Sequence, residues 1–157
     1  MPVWQAALGK FAAASSVAAL ALALTFPMWI AMNYLGDPDN AAIATAYFGA
    51  LLLAAGGLAL GQALSASTAN QVIAFVLGAG ACFLVTIAGL PFVLDALSAR
   101  LPGALAEALA ELSALSRFDS LRRGVASLPD LIYFVSLIAA GLTAAVVLIE
   151  TRRGGGR

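Results

Sequence analysis

Four long apolar runs, separated by polar stretches, dominate the pattern of hydrophobic and polar positions along the chain. They cover about residues 11–33, 43–64, 72–94 and 129–149. An α-helix rises about 1.5 Å per residue, so about 20 apolar residues match the hydrocarbon core of a bilayer, which is about 30 Å thick. The pattern therefore predicts an all-α polytopic membrane protein with four transmembrane helices.

The longest polar segment lies between the third and fourth runs, and its apolar residues recur every three or four positions. They are Leu101, Leu105, Ala108, Leu112, Leu115, Phe118, Leu121 and Val125. This spacing predicts short amphipathic helices over about 102–125, resting on the outer face of the membrane. Ser116 and Asp119 have the spacing of a capping box that restarts the helix, and Asp119 is placed to pair with Arg122 and Arg123.

Helix-capping patterns stand before three of the apolar runs: Asp39 or Asn40, Thr68 to Gln71, and Ser127 to Asp130. In the second pattern, a Thr followed three residues later by Gln predicts a helix start at Ala69 or Asn70. In the first run, Pro27 lacks a backbone N–H, which predicts a kink near the far end of that span.

The composition excludes an ordinary soluble domain. Hydrophobic residues make up 62% of the chain and charged residues 10%, with a mean hydropathy of +0.99, whereas a soluble domain carries roughly 25% charged residues. The net charge is zero and no basic run is interleaved with aromatics, so nucleic acid is not an expected partner. A secretory signal is the alternative reading of the first run, but the run is long and Pro27 to Trp29 occupy the place of the small residues required for cleavage.

The sequence lacks the motifs that are typical of catalytic, nucleotide-binding and metal-binding sites. It holds no P-loop motif, no histidine and no zinc-binding pattern, and its only cysteine, Cys82, lies inside an apolar run and is interpreted as a small buried thiol. No ionisable residue lies deep in an apolar run, although ion-coupled carriers generally need one. We therefore expect no enzyme activity, cofactor or metal, and a role that is passive or powered by a partner.

Small residues form a stripe along the second span, at positions three or four residues apart. They are Ala50, Ala54, Gly57, Gly61 and Ser65. Such a stripe lets another helix approach closely. Packing within one subunit is favoured here over a dimer interface.

Several short motifs, in order along the chain, resemble one transporter family. The closing set, which is similar to the end of type-2 ABC transporter permeases of the gliding-motility branch, consists of Ser116, Phe118, Ser120, Gly124, Asp130, Tyr133 and Phe134. Upstream, the strings LGKF from Leu8, LGDPD from Leu35, YFG from Tyr47, ALG from Ala59 and TANQVIAF from Thr68 match the same family pattern. The resemblance covers about Pro2 to Arg153.

This resemblance implies a membrane-spanning subunit that works as a permease dimer, homomeric or heteromeric, driven by a separate ATPase. Family members have six spans, so the four here correspond to the last four, as in a fragment or a shortened form. The residues that would contact the ATPase are Trp4, Gln5, Gly9, Lys10, Thr68, Asn70 and Gln71. The alternatives are that Gly9 and Lys10 are an interfacial anchor and that Thr68 to Gln71 only cap a helix.

Four crossings place both termini on one side, and the expected location is a bacterial inner membrane. Basic residues are equally frequent on the two sides, but a basic tail follows the last span directly, which favours cytoplasmic termini. Residues 152–157 are expected to be a disordered tail. The expected function is the permease subunit of an ATP-driven ABC exporter; the alternative, suggested by the small-residue stripe, is a non-transporting scaffold that binds other membrane proteins.

Overall fold

Helices joined by turns make up the part of the chain that the computed structural model describes, which is residues 2–87, 90–98, 113–125 and 127–154. No strand occurs in these ranges, so the all-α prediction is confirmed. The helices are α1 (Val3–Leu24), α2 (Phe26–Leu35), α3 (Asn40–Ser67), α4 (Gln71–Ile87), α5 (Pro91–Ser98), α6 (Ala114–Arg122) and α7 (Leu128–Gly154).

Three helical segments are long and apolar enough to cross a membrane: Val3–Leu35, Asn40–Ser67 and Leu128–Arg152. The first segment comprises both α1 and α2. Most of the surface of the three segments is exposed, with 0%, 17% and 17% of the most apolar window buried. Apolar helices with so little burial need lipid or other helices around them. The chain is therefore a membrane protein, as predicted.

The first helical segment begins earlier than predicted and is interrupted close to the proline. α1 starts at Val3, so the helix that contains the span also includes residues 3–10, ahead of the predicted start at residue 11. It ends at Leu24, and α2 begins at Phe26 with Pro27 in its first turn. The missing N–H of Pro27 interrupts the helical hydrogen bonds, and Thr25 instead donates its N–H to Leu22 O at 3.0 Å.

The predicted third span, 72–94, is not one continuous helix. α4 has 17 residues and ends at Ile87, and α5 begins at Pro91. Proline fits the first turn of a helix but disfavours helical backbone in the residue before it, which explains the boundary. α4 alone spans about 25 Å.

The core of the molecule is the contact between α3 and α7, which run parallel, from the Gly56–Leu137 contact to the bond between Ser67 and Arg152. A Cβ added to Gly141 of α7 would lie 2.8 Å from the carbonyl carbon and the Cβ of Ala59, so the two backbones touch. One added to Gly56 would lie 2.9 Å from Cδ2 of Leu137. Small residues therefore permit the close approach, and α1 and α4 pack against α3 around this pair.

The two ends of the bundle carry different segments. At one, the terminal end, Gln62 Nε2 donates to Ala7 O at 2.9 Å and Arg152 donates to Ser67 O. This end holds residues 2–10, 66–71 and 149–154. At the other, the corner end, residues 36–42 lie near the turn between α6 and α7, since a Cβ added to Gly124 would be 3.3 Å from Ala42.

The polar segment differs in part from its prediction. α6 runs through Ser116, which therefore does not cap a helix; Ser113 holds the N-cap position, and its hydroxyl donates to Val85 O at 3.4 Å instead of capping. Leu121 is fully buried as the periodicity predicts, but Val125 lies beyond the helix and is 59% exposed. The predicted helix over residues 102–112 lies outside the described residues.

The helix boundaries at two other places also differ from the predictions. α4 begins at Gln71 instead of Ala69 or Asn70, because Asn70 is the residue whose side chain caps it. α7 continues to Gly154, so the first residues of the predicted disordered tail are helical. The bond from Arg152 to Ser67 O holds this last turn against the end of α3.

Candidate functional site

The corner between α6 and α7 brings together residues of the family-like closing set. α6 ends at Arg122, and Gly124 turns the chain with φ +81°, a left-handed value that favours glycine. Its N–H donates to Leu121 O at 3.1 Å. Because Ala42 of α3 lies directly against it, a side chain at Gly124 would be both strained and crowded.

An ion pair ties α6 to the first turn of α7. Asp130 is 2% exposed, and its Oδ1 lies 3.3 Å from Nη1 of Arg117. Its other carboxylate oxygen accepts the hydroxyl proton of Ser127. The sequence predicts a cap at Ser127 to Asp130, and the structure shows why it matters: a carboxylate buried at a helix N-terminus is stabilised by the helix dipole, the hydroxyl and the guanidinium together.

Aromatic residues of the same set fill the core beneath this corner. Phe134 is fully buried and packs with Leu121 and Ala114, with Phe118 and Tyr133 against the cluster. The rings of Tyr133 and Phe134 meet edge to face with centroids 5.3 Å apart. These contacts bury apolar surface where α3, α6 and α7 meet, so this part of the set stabilises the corner.

The two serines of the set, Ser116 and Ser120, are half-buried on α6. Ser116 borders an open cavity of about 580 Å³. Arg122 and Arg123 border the same cavity, and both pair with Asp119, Arg122 Nη2 at 2.8 Å from Oδ1, as predicted. Hydrogen bonds from Arg123 and then Arg122 hold the pKa of the Asp119 carboxyl below its ordinary value of 3.8.

The residues expected to contact an ATPase lie at the terminal end. Trp4 is 52% exposed, Gln5 and Gly9 are exposed, and no atom lies within 4 Å of a Cβ added to Gly9. Lys10 lies about two turns into α1, beside the end of α3. These positions share the terminal end with the turn between α3 and α4.

That turn is held by its own side chains. Thr68 Oγ1 accepts the N–H of Asn70 at 3.2 Å, and Asn70 Oδ1 accepts the N–H groups of Val72 and Ile73 at 2.9 and 3.4 Å. Asn70, and not Thr68, is therefore the helix cap, as Asn is among the preferred N-cap residues. Gln71 is exposed at the first position of α4.

The predicted stripe on α3 serves contacts within the chain at two of its positions. A Cβ added to Gly57 would lie 3.8 Å from Cys82 Sγ of α4, and one added to Gly78 would lie 3.7 Å from Gly61 Cα. Ala50 and Ala54 are half-buried, and Ser65 is exposed at the rim. The sequence analysis missed a second row of small residues on α3, which packs on α6 and α7: Gly49, Gly56 and Ala59. Ala63 is also buried.

A cluster of amides and aromatics at the corner end was also missed. Asn33 and Asn40 pair their side chains reciprocally at 2.9 and 3.0 Å, and Trp29 Nε1 donates to Asn40 Oδ1 at 2.6 Å. Tyr47 stacks on Trp29 and bonds to Thr25 at 2.8 Å. The cluster fastens α2 to the start of α3; the only sequence signal was two asparagines flanking one turn.

In the described ranges, no group of three or more His, Cys, Asp or Glu side chains is placed to hold a metal ion. The arrangement at the corner is that of a structural joint, and most of the residues named at the terminal end are exposed. Comparison with models of known protein families, with curated proteins and with solved structures gave no match.

Proposed function

We propose that this chain is the membrane-spanning permease subunit of an ATP-driven ABC exporter, located in a bacterial inner membrane with both termini in the cytoplasm. The observation that carries the proposal is the position of its expected ATPase contacts. Residues 2–10 and the turn Thr68 to Gln71, about 60 residues apart in sequence, lie at one end of the bundle. One partner on one side of the membrane can reach both.

In this proposal α4 is the fourth crossing. It runs from the terminal end toward the corner end, where Val85 accepts a hydrogen bond from Ser113. Its length of about 25 Å falls short of the hydrocarbon core by about 5 Å, a mismatch that a bilayer accommodates by local thinning. Phe75, Phe83 and Leu84 are at least 63% exposed, as a helix facing lipid or a further helix requires.

The packing suggests how movement of an ATPase would be transmitted. α3 and α7 touch backbone to backbone and are joined at the corner, so they form a stiff pair. α1 and α4 lie against this pair with open cavities of about 280 and 360 Å³ beside them at the terminal end. A push on residues 2–9 or on the turn Thr68 to Gln71 would therefore move α1 or α4 relative to α3 and α7.

A non-transporting scaffold is the alternative. It was suggested by the small-residue stripe, but Gly57 lies against Cys82 and Gly61 lies close to Gly78, so both already contact α4 of the same chain. A second permease subunit would instead use the exposed apolar faces of α1, α2 and α4, which carry most of the large exposed hydrophobic residues.

Site-specific photocrosslinking in the native cells tests the permease proposal. A benzophenone amino acid replaces Trp4 at the terminal end and, as the matched control, Tyr34 at the corner end, an aromatic residue that is 92% exposed. A third variant carries it at Gln71. We expect the Trp4 and Gln71 variants to crosslink to a polypeptide that mass spectrometry identifies as an ATPase with a P-loop, and the Tyr34 variant to give no such product.

The proposal fails if no P-loop ATPase is captured from the terminal end, or if Tyr34 captures it equally well. Crosslinks between two copies of the chain from the terminal-end positions, without an ATPase, would favour the scaffold instead.

A further inference from the structure

A cavity of about 280 Å³ lies at the terminal end where α1 crosses the ends of α3 and α7. Its polar wall consists of Lys10, Gln62 and Ser65, and its apolar wall includes Ala6 and Ile149. Three helices thus contribute to one partly enclosed space, which sets these side chains apart from isolated surface groups.

The polar groups around this cavity retain hydrogen-bond donors. Among the described residues, the ammonium of Lys10 makes no hydrogen bond or ion pair, and the Ser65 hydroxyl makes no hydrogen bond. Gln62 uses one N–H to reach Ala7 O at 2.9 Å, and its amide carries a second. A cation and two kinds of neutral donor beside one space suit an oxyanion, because phosphate oxygens accept several hydrogen bonds at once.

The cavity lies at the level where the membrane changes from apolar to polar. Lys10 is the last charged residue before the uncharged part of α1, and Glu150, next to Ile149, is the first after the uncharged part of α7. Residues 11–33 suffice to cross the hydrocarbon core, so Lys10 lies at its edge, where lipid phosphates are found.

The charge at this end favours an anionic lipid. Residues 2–10, 66–71 and 149–154 include three basic residues, Lys10, Arg152 and Arg153, against one acid, Glu150. Basic residues next to the hydrocarbon core attract anionic lipid headgroups, whereas acidic residues there would repel them. The apolar wall formed by Ala6 and Ile149 suits the glycerol and the first carbons of an acyl chain.

We propose that this cavity binds the headgroup phosphate of an anionic phospholipid, with Lys10 as the cation and Gln62 and Ser65 as hydrogen-bond donors. The lipid fills the space between α1 and α3 and ties α1 to the stiff α3–α7 pair. The inference does not depend on the transport proposal, since it needs neither an ATPase nor a second subunit.

Native mass spectrometry of the full chain in detergent tests this proposal, with phosphatidylglycerol and phosphatidylcholine as the added lipids. The wild-type protein is expected to retain one phosphatidylglycerol in preference to phosphatidylcholine. Lys10→Gln should weaken phosphatidylglycerol binding about fivefold, the effect of one basic residue at a membrane surface. Ala6→Phe keeps the charge but fills the cavity, and should weaken binding at least as much. Lys10→Arg should retain it.

The matched control is Arg122→Gln, which removes the same charge from the corner end and should leave binding unchanged. Equal loss in Arg122→Gln, or full retention in Ala6→Phe, would show that general charge attraction and not the cavity holds the lipid, and would overturn the proposal. So would displacement of the lipid by soluble glycerol phosphate alone, which would identify a free phosphate site. Helical circular dichroism and a single gel-filtration peak confirm that each variant is folded.

Discussion

At the scale of single residues, what a glycine does depends on which backbone lies opposite it. Gly141 meets the backbone of Ala59, whereas a Cβ added to Gly61 would find no atom within 4 Å. Both glycines lie in apolar helices of similar composition, so their sequence context does not distinguish them. Only Gly141 is required for the close approach of two helices.

Replacing Gly141 by alanine should therefore destabilise the protein by about 1–3 kcal/mol, because the added methyl group overlaps atoms that cannot rotate away. Gly61→Ala is the matched control and should cause no loss of stability, since alanine favours the helix and no atom lies within 4 Å of the added methyl group. Thermal unfolding followed by circular dichroism in detergent measures both. Equal melting temperatures for the two variants would contradict the α3–α7 contact.

The pairing of Asp119 with Arg122 and Arg123 gives the corner a dependence on pH. Since the folded-state pKa of Asp119 is lowered below 3.8, these pairs stabilise the fold at pH values above 3.8, and the stabilisation is lost as the pH falls through the lower folded-state value.

Asp119→Asn should therefore lower the melting temperature slightly near neutral pH, and the difference from wild type should shrink as the pH is lowered below 3.8. Asp37→Asn, which removes an exposed carboxylate with no ion pair among the described residues, is the control and should show no such difference. A difference for Asp119→Asn that persists undiminished in acid would argue against the pairing.

At the scale of elements, an ion pair between Arg117 and the buried Asp130 joins α6 to α7. The carboxylate is 3% exposed and the Arg117 side chain 26%, so the pair is shielded from solvent far better than the pairs of Asp119. Removing one member of a buried pair leaves the other charge without compensation, which is more costly than losing an exposed pair.

Arg117→Met should accordingly destabilise the protein by about 2 kcal/mol, while Arg122→Met, which removes an exposed guanidinium from the same helix, should have little effect. Adding Asp130→Asn to Arg117→Met should recover part of the loss, because the neutral amide needs no counter-charge. Additive losses in the double variant would mean that the two side chains do not interact.

At the scale of the whole molecule, α3 lies between α1, α4 and α7 and positions each of them. Its N-terminal cap, Asp39, accepts the N–H groups of Ala41 and Ala42 at 3.0 and 3.2 Å, and its last residue, Ser67, accepts from Arg152. The bond between Arg152 and Ser67 places the C-terminal ends of α7 and α3 side by side. Packing, and not a count of charges, therefore shows which helix ends lie together.

Cysteine labelling checks that order in a Cys82→Ala background. With a maleimide that does not cross membranes, cysteines replacing Gln5 and Asn70 should be labelled from one side, and those replacing Asp37 and Arg122 from the other. Labelling of the Asn70 and Arg122 positions from the same side would show that α4 does not cross. Access to Gln5 from outside intact cells would place the termini opposite to our proposal.

The sequence by itself determined that lipid surrounds most of this protein and that its main elements are helices. An uncharged run of membrane length forms a helix in lipid because a helix bonds every backbone N–H and C=O within the one segment. Some features depend only on residues close together in sequence: Asp39 caps α3, Pro27 lies in the first turn of α2, and Ser127 bonds to Asp130 at the start of α7.

The tertiary structure alone decided which side chains meet across the bundle. The pairing of Arg117 with Asp130, the Asn33–Asn40 amides and the cavity beside Lys10 each join residues whose separation in space depends on how helices pack. The spacing of small or apolar residues in the sequence shows which face of a helix is packed, but it does not show which other helix packs against that face. Small residues occupy two faces of α3, and only the packed structure shows that one faces α4 and the other faces α6 and α7.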